Sequence, residues 1–339
     1  MGEKLYSAGI LGIGSYAPDK ILTNADLERI VETSDEWIST RTGIKERRIV
    51  AQDQATSDLA VEAARKALAQ AGVSGAEIDL IIVATISPDM LFPATACLVQ
   101  DALEANNAAA FDLSAGCSGF VYALVTGAQF VASGLYEKVL IIGADALSRL
   151  TDWEDRRTCV LFGDGASAAV IGRVPEGYGL LASVLGADGS GGETLMLPAG
   201  GSRRPASLET VQAREHFIKM EGREVFKFAV RIMQEATLQV VEKAGLSLDE
   251  IDLFVPHQAN VRIIEASLSR MGVPSERVFL NVDKYGNTSS ASIGLALDEA
   301  CQEGKVTDGA NLALVGFGAG LTWGGAVLRW YAGGNRSDD

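Results

Sequence analysis

Apolar and polar residues follow two rhythms along this chain. IDLIIVAT at 78–85 and VLIIG at 139–143 are short, mainly apolar runs, as buried strands are. ATSDLAVEAARKALAQA at 55–71 instead carries apolar positions at helical spacing, and Gly72 stops it. The pattern predicts strands at 7–14, 78–85, 108–113, 139–143 and 166–172, with helices at 55–71, 94–105 and 118–133. Further on it predicts helix 222–243, strand 251–256, helix 260–271, strand 277–282, helix 288–302 and strands 311–316 and 323–330. Strands alternating with helices imply sheets covered on both faces. Segment 186–215 is Gly-rich, contains SRRP and lacks a period, so it reads as a surface loop or a mobile flap.

The second half of this order repeats the first. AGVSGAEIDLIIV at 71–83 returns as AGLSLDEIDLFVP at 244–256, 173 residues later. Gly116-Cys117-Ser118 opens an apolar helical stretch, and Gly286-Asn287-Thr288 opens another. Each leads to a strand ending in Gly, VLIIG at 139–143 and LALVG at 312–316. The first copy of the repeat runs on into Ala84 and the second into His257. Two copies imply a pseudo-two-fold duplication rather than a solenoid, with halves expected at 1–175 and 176–339. Cys, His and Asn at matching element boundaries point to one shared active site.

Composition narrows the function. At 339 residues and 47% hydrophobic, the chain can bury a sizeable core. A net charge of −15 argues against nucleic acid or an anionic membrane as partner, and an acidic partner would need a local basic patch. Charged or small residues break every apolar run before membrane-spanning length. MGEKLYSAGILGIGSY lacks the organisation of a signal peptide, and Tyr6 stands where a myristoylation signal wants Ser or Thr; a cytoplasmic location is expected. Cys97, Cys117, Cys159 and Cys301 show no CxxC spacing and there are two histidines, so neither a metal site nor a disulfide framework is expected.

Cys117, in DLSAGCSGFVYAL, lies between a strand and a helix start, where the helix dipole favours thiolate; alone, such a cysteine is more often buried and inert. His257, in LFVPHQANVRII, follows a strand and is the better imidazole candidate, since His216 lies in a polar segment. Asn287, in KYGNTSSAS, could equally cap the next helix. GFGAGLTWG at 316–324 is neither a Rossmann fingerprint nor a P-loop; its permissive backbone could aim N–H groups at an oxyanion or simply close a hairpin.

Taken together, SDEWISTRTGIKERR (34–48), AGCSGF, LFGDGASAAV (161–170), GREVFKFAV (222–230), PHQANVRII (256–264), YGNTSSASI (285–293) and GFGAGLTWG make the chain resemble the β-ketoacyl-acyl-carrier-protein synthase III family. These condensing enzymes of type II fatty acid synthesis belong to the thiolase superfamily, and the resemblance spans essentially the whole chain. It implies an α/β, thiolase-like five-layer αβαβα fold built from two pseudo-symmetric repeats, in a homodimer.

By the same resemblance, Cys117 is the acyl-accepting nucleophile, and His257 and Asn287 stabilise the enolate formed by decarboxylation. The backbone N–H groups of Cys117 and Ala319 hold the tetrahedral oxyanion, although the family turn often has Gly at the latter position. Trp37, Arg41 and Arg156 match CoA-binding positions. Lys227 and Arg262 match the surface that docks acyl carrier protein, and Arg223, Arg231 and Arg270 extend it as a basic stripe at helical spacing. Phe92 matches a residue that crosses the dimer to close the partner's acyl pocket. No tightly bound cofactor is implied: acyl-CoA, acetyl or another short primer, is a substrate, and phosphopantetheine arrives on the carrier. A related enzyme of secondary metabolism (polyketide starter condensation, or acyl transfer without decarboxylation), a papain-like Cys/His/Asn hydrolase and a non-catalytic scaffold are the competing readings.

Overall fold

The computed structural model describes residues 5–333; Met1–Lys4, in the opening stretch read for targeting, and 334–339, at the end of the second expected half, lie outside the described residues. In chain order the layered elements of the first half are β1 (Ala8–Tyr16), α1 (Thr56–Ala71), β2 (Leu80–Ala84), α2 (Thr95–Ala102), β3 (Ala109–Leu113), α3 (Gly119–Ala132), β4 (Val139–Asp145) and β5 (Gly165–Arg173). Those of the second half are β6 (Gly179–Ala187), α4 (Gly222–Lys243), β7 (Leu253–Pro256), α5 (Val261–Arg270), α6 (Ser292–Gln302), β8 (Asn311–Gly318) and β9 (Thr322–Arg329). Gly72, at φ +65°, ends α1 in the left-handed conformation that glycine adopts at least cost.

The strands form two sheets, in the orders β1-β5-β4-β2-β3 and β6-β9-β8-β7. Read in this direction the sheets correspond strand for strand, and both copies of the sequence repeat lead into equivalent parallel strands, β2 and β7. Helices α3 and α6 lie between the sheets, α1 and α2 cover the outside of one, and α4 and α5 cover the outside of the other. This is the five-layer αβαβα arrangement. Its central core joins Phe120 and Leu124 of α3 with Ile141 of β4, Leu314 of β8 and Leu297 of α6. Two outer cores seal the remaining faces, one around Leu59 and Ile81, the other around Met233 and Phe254.

The expected strand 277–282 is not formed. Its segment would be the counterpart of β3, and it keeps one parallel bridge, Val278 to Phe254. The Gln258 side chain intervenes, donating to the Phe279 carbonyl (3.1 Å) and accepting from the Asn281 N–H (3.1 Å), so the ladder stops and a short helix Val282–Tyr285 follows. Segment 186–215 is likewise more structured than a loop. It contains the end of β6, a 3₁₀ turn Gly189–Thr194, a short strand Leu195–Met196 paired with Lys219–Met220, and a helix Leu208–Gln212. An insertion between β1 and α1, unassigned by periodicity, holds a hairpin (Lys20–Thr23 with Glu46–Ile49) and the helix Asp35–Thr42.

Candidate active site

Cys117 sits in a 3₁₀ turn, Gly116–Ser118, between β3 and α3. Gly116 is at φ +55°, and a Cβ there would lie 2.7 Å from the Ala319 backbone nitrogen. A Cβ on Gly318 would collide with the Cys117 backbone nitrogen. These two glycines let the Cys117 turn and the GFGAGLTWG hairpin touch backbone to backbone. The Thr322 hydroxyl, donating to the Ala115 carbonyl (2.7 Å), fastens them.

The helix start does not make Cys117 a thiolate. Burial pushes its thiol up to about 12, the nearby Asp145 adds to the effect, and the Ser289 hydroxyl opposes it. Desolvating a full charge outweighs the fractional charge of a helix end. Among the described residues no hydrogen bond of ordinary geometry satisfies that buried Ser289 hydroxyl, so it sits beside the sulfur rather than aligned on it.

His257 follows β7, and its backbone N–H donates to the Val315 carbonyl of β8 (2.8 Å). The imidazole is buried, edge-on to the Phe317 ring at 5.3 Å, with Nδ1 2.5 Å from Ser292 Oγ. Burial pushes its pKa down to about 3, which keeps the ring neutral at physiological pH.

Asn287 is clamped through its backbone, donating to Leu161 (2.8 Å) and accepting from Gly163 (3.0 Å). Its side-chain oxygen accepts from the Ser289 N–H (2.9 Å), so the amide NH₂ remains as the group it can offer to a ligand. Turn formation and ligand donation are thus served by opposite ends of one amide.

Two cavities meet at Cys117. One, of about 100 Å³, is lined by Cys117, His257 and Asn287 and extends past Phe226 to Asn260. The other, of about 160 Å³, is apolar and runs from Cys117 and Ala319 to Ile86, Leu147 and Ile218. The first presents a buried sulfur, an uncharged imidazole and an amide to a single ligand; the second accommodates a short hydrocarbon.

The other expected site residues fall into three groups. Trp37 and Arg41 lie on the inserted helix Asp35–Thr42, and the guanidinium groups of Arg41 and Arg156 stand 4.6 and 5.1 Å from the Trp37 ring. The Asn260 side chain donates to the Arg41 carbonyl (3.0 Å), joining this cluster to the mouth of the first cavity. On the neighbouring helices α4 and α5, Arg223, Lys227, Arg231, Arg262 and Arg270 are exposed. Lys227 pairs with Glu224 (2.8 Å) and Arg231 with Glu235 (3.0 Å), so two of the five are locally neutralised. Arg262 lies over Phe226, a residue of the cavity wall. Phe92 is 84% exposed beside exposed Leu91, which excludes core packing for it in this chain alone.

Sequence reasoning missed Asp145, Ser289 and Ser292. The serines lie in the quoted stretch YGNTSSASI, but only the packing of that turn against β4 and β7 distinguishes one from another. Among the described residues no group of three or more His, Cys, Asp or Glu could hold a metal ion, and no helix is long and apolar enough to cross a membrane.

Comparison with known proteins points the same way. The family model described as 3-oxoacyl-[acyl-carrier-protein (ACP)] synthase III matches residues 111–189, and its C-terminal counterpart matches 241–330. The β-ketoacyl-[acyl-carrier-protein] synthase III of Caldanaerobacter subterraneus subsp. tengcongensis is 59% identical over 97% of this chain and 99% of its own. The crystal structure of the Thermus thermophilus synthase III superposes with a TM-score of 0.90 at 53% identity, covering 96% of this chain and 99% of that one. The priming β-ketosynthase of the R1128 polyketide pathway has a TM-score of 0.90 at 37% identity, covering 97% of each chain.

Proposed function

We infer the roles of individual residues from one premise: this chain belongs to the β-ketoacyl-acyl-carrier-protein synthase III family, the acyltransferases that open fatty acid synthesis by condensation. Its reaction joins an acyl-CoA, acetyl-CoA or another short primer, to malonyl carried by acyl carrier protein. The products are β-ketoacyl carrier protein, CoA and CO₂. The observation that carries the residue assignment is the convergence of Cys117, His257 and Asn287 on one cavity, with the imidazole uncharged.

In the first half-reaction the Cys117 sulfur attacks the acyl-CoA carbonyl, the thiol proton passes to the departing CoA sulfur, and an acyl-Cys117 thioester remains. The apolar cavity receives the acyl chain. In the second, malonyl enters through the cavity containing His257 and Asn287, whose N–H groups donate to its thioester oxygen. Loss of CO₂ leaves an enolate, and the enolate carbon attacks the acyl-Cys117 carbonyl. The oxyanion so formed is held by the backbone N–H groups of Cys117 and Ala319, which together line the apolar cavity. Collapse expels the Cys117 thiolate, which takes up one proton per turnover.

Trp37, Arg41 and Arg156 form the platform for the CoA adenine and phosphates, supported by their mutual stacking. Arg223, Arg262 and Arg270, which make no ion pair among the described residues, lead the docking face for the acidic carrier, with Lys227 beside them. Residues 1–175 contribute the nucleophile and 176–339 the decarboxylation pair. A homodimer fits the open edge of β3, where Phe111 is exposed, together with the protruding Phe92. Cytoplasmic function without a resident cofactor completes the reading.

The test is intact mass after incubation with acetyl-CoA, followed by CO₂ release on adding malonyl carrier protein. Acylation confined to Cys117, absent in Cys117→Ala, with CO₂ and β-ketoacyl product supports the assignment. CO₂-free hydrolysis or absence of an adduct overturns it. Higher identity to the fatty acid enzymes, 59% and 53% against 37%, favours them over polyketide priming.

A further inference from the structure

The His257 ring is uncharged and can carry its proton on either nitrogen, and the two tautomers do opposite chemistry. With the proton on Nε2 the ring donates into the cavity; with it on Nδ1, Nε2 becomes a base. We propose that Ser292, at the start of α6, holds His257 in the Nε2–H tautomer and so makes it a hydrogen-bond donor rather than a proton acceptor. This rests on the role for His257 proposed above.

A count of donors and acceptors carries the inference. Ser292 Oγ lies 2.5 Å from His257 Nδ1 and 3.4 Å from the Gln258 backbone nitrogen. The Gln258 N–H can only donate, so among the described residues the one acceptor within reach of the Ser292 hydroxyl proton is Nδ1. Ser292 is 2% exposed, so bulk water is no substitute. Were the ring proton on Nδ1, the oxygen would receive both the imidazole and the Gln258 N–H, and its own proton would be an unmet buried donor. Protonating both nitrogens would bury a cation without a carboxylate partner. Nδ1 therefore accepts from Ser292, and Nε2–H, which makes no hydrogen bond to described protein atoms, faces the cavity shared with Cys117 and Asn287.

Acylation then proceeds without His257 as base. The Cys117 proton goes directly to the leaving CoA sulfur, and the imidazole acts when the malonyl oxygen gains charge. Ser292 is a positioning residue: it touches no substrate and acts through the ring.

The experiment uses full-length protein labelled with ¹⁵N-histidine. The chain has two histidines, so a His216→Gln variant assigns the spectrum. The expected result is an Nε2–H pattern for His257 in the wild type and a mixed or reversed tautomer in Ser292→Ala. With that change, condensation should fall on the order of ten- to a hundredfold, the cost of losing the orienting partner of a metal-bound histidine taken as the scale, while acyl transfer to Cys117 stays within about twofold. Ser292→Thr, which keeps the hydroxyl, should restore both tautomer and rate. An Nδ1–H ring in the wild type, or unchanged tautomer populations in Ser292→Ala, overturns the proposal. A His257→Ala variant separates the two levels. If it decarboxylates malonyl carrier normally, the role of His257 itself fails; if it is inactive while Ser292→Ala leaves the tautomer populations of the ring unchanged, only the role of Ser292 fails.

Discussion

Asp145, at the end of β4, and Ser290, on the turn after Asn287, bind each other across the two halves of the chain. The carboxylate accepts from the Ser290 backbone N–H (3.1 Å) and hydroxyl (2.6 Å). Its other oxygen accepts from Thr85 (3.0 Å), the Ile86 N–H (2.9 Å) and the Ser87 hydroxyl (2.8 Å). One buried acid thereby holds the turn that presents Asn287 and Ser289 to Cys117.

Asp145→Asn should show two effects of opposite sign. Replacing an acceptor by a donor leaves several buried N–H and O–H groups facing an NH₂, at a cost of about 3 kcal/mol measurable by urea unfolding. Condensation should fall as the turn relaxes. Removing the negative charge should nonetheless lower the Cys117 pKa and speed iodoacetamide labelling at fixed pH, since Asp145 raises that thiol. Slower labelling would show that the charge does not reach the sulfur.

In the free protein Cys117 should behave as a thiol. With its pKa pushed up from 9.0 to about 12, the thiolate fraction at neutral pH is about a thousandfold below that of an ordinary cysteine. Alkylation followed by mass spectrometry should therefore accelerate with pH without levelling near pH 9. A plateau near neutrality would mean that the helix end, not burial, governs the group.

His257 links folding to pH. Its folded value of about 3 lies below the unfolded 6.5, so as pH falls through 6.5 the unfolded chain gains a proton that the folded chain refuses. Stability from this group is complete above 6.5 and declines toward pH 3, by about 1.4 kcal/mol per pH unit within that window. His257→Ala should flatten the acid limb of a stability–pH curve relative to the wild type. Parallel curves would place the loss on other groups.

Arg262→Glu should raise KM for the malonyl carrier several-fold and weaken its salt dependence, because it reverses a charge at the mouth of the cavity. Acylation of Cys117 by acyl-CoA should be unaffected. Equal damage to both half-reactions would remove Arg262 from the docking face.

Phe92→Thr should widen the range of accepted acyl chains if the exposed ring closes a neighbouring copy's apolar cavity. A panel of acyl-CoA primers of increasing length reads this directly. An unchanged preference would leave the ring a surface feature.

Much of this architecture was legible because strand and helix periods are local. Helix α1, strands β2 and β4, and the duplication follow from spacing and from the AGxS…EIDL echo. Strand 277–282 misled because its apolar residues fit a ladder whose place the Gln258 side chain takes from another element. The sequence leaves two readings of Cys117 open, thiolate at a helix start or buried thiol, because proximity to a helix start is visible in sequence, whereas complete burial depends on layers far apart in the chain. Ser292 and Asp145 were hidden among ordinary serines and acids, since their importance lies in contacts 35 and 145 residues away.

The meeting of two cavities at a single sulfur also governs timing. On the proposed reading, the pantetheine arms of acyl-CoA and of the carrier both reach Cys117 through the cavity of His257 and Asn287, which has room for one arm at a time. Free CoA must therefore depart before malonyl can enter. Steady-state kinetics should be ping-pong, with parallel double-reciprocal lines, and either substrate in excess should inhibit by occupying the channel at the wrong turn of the cycle.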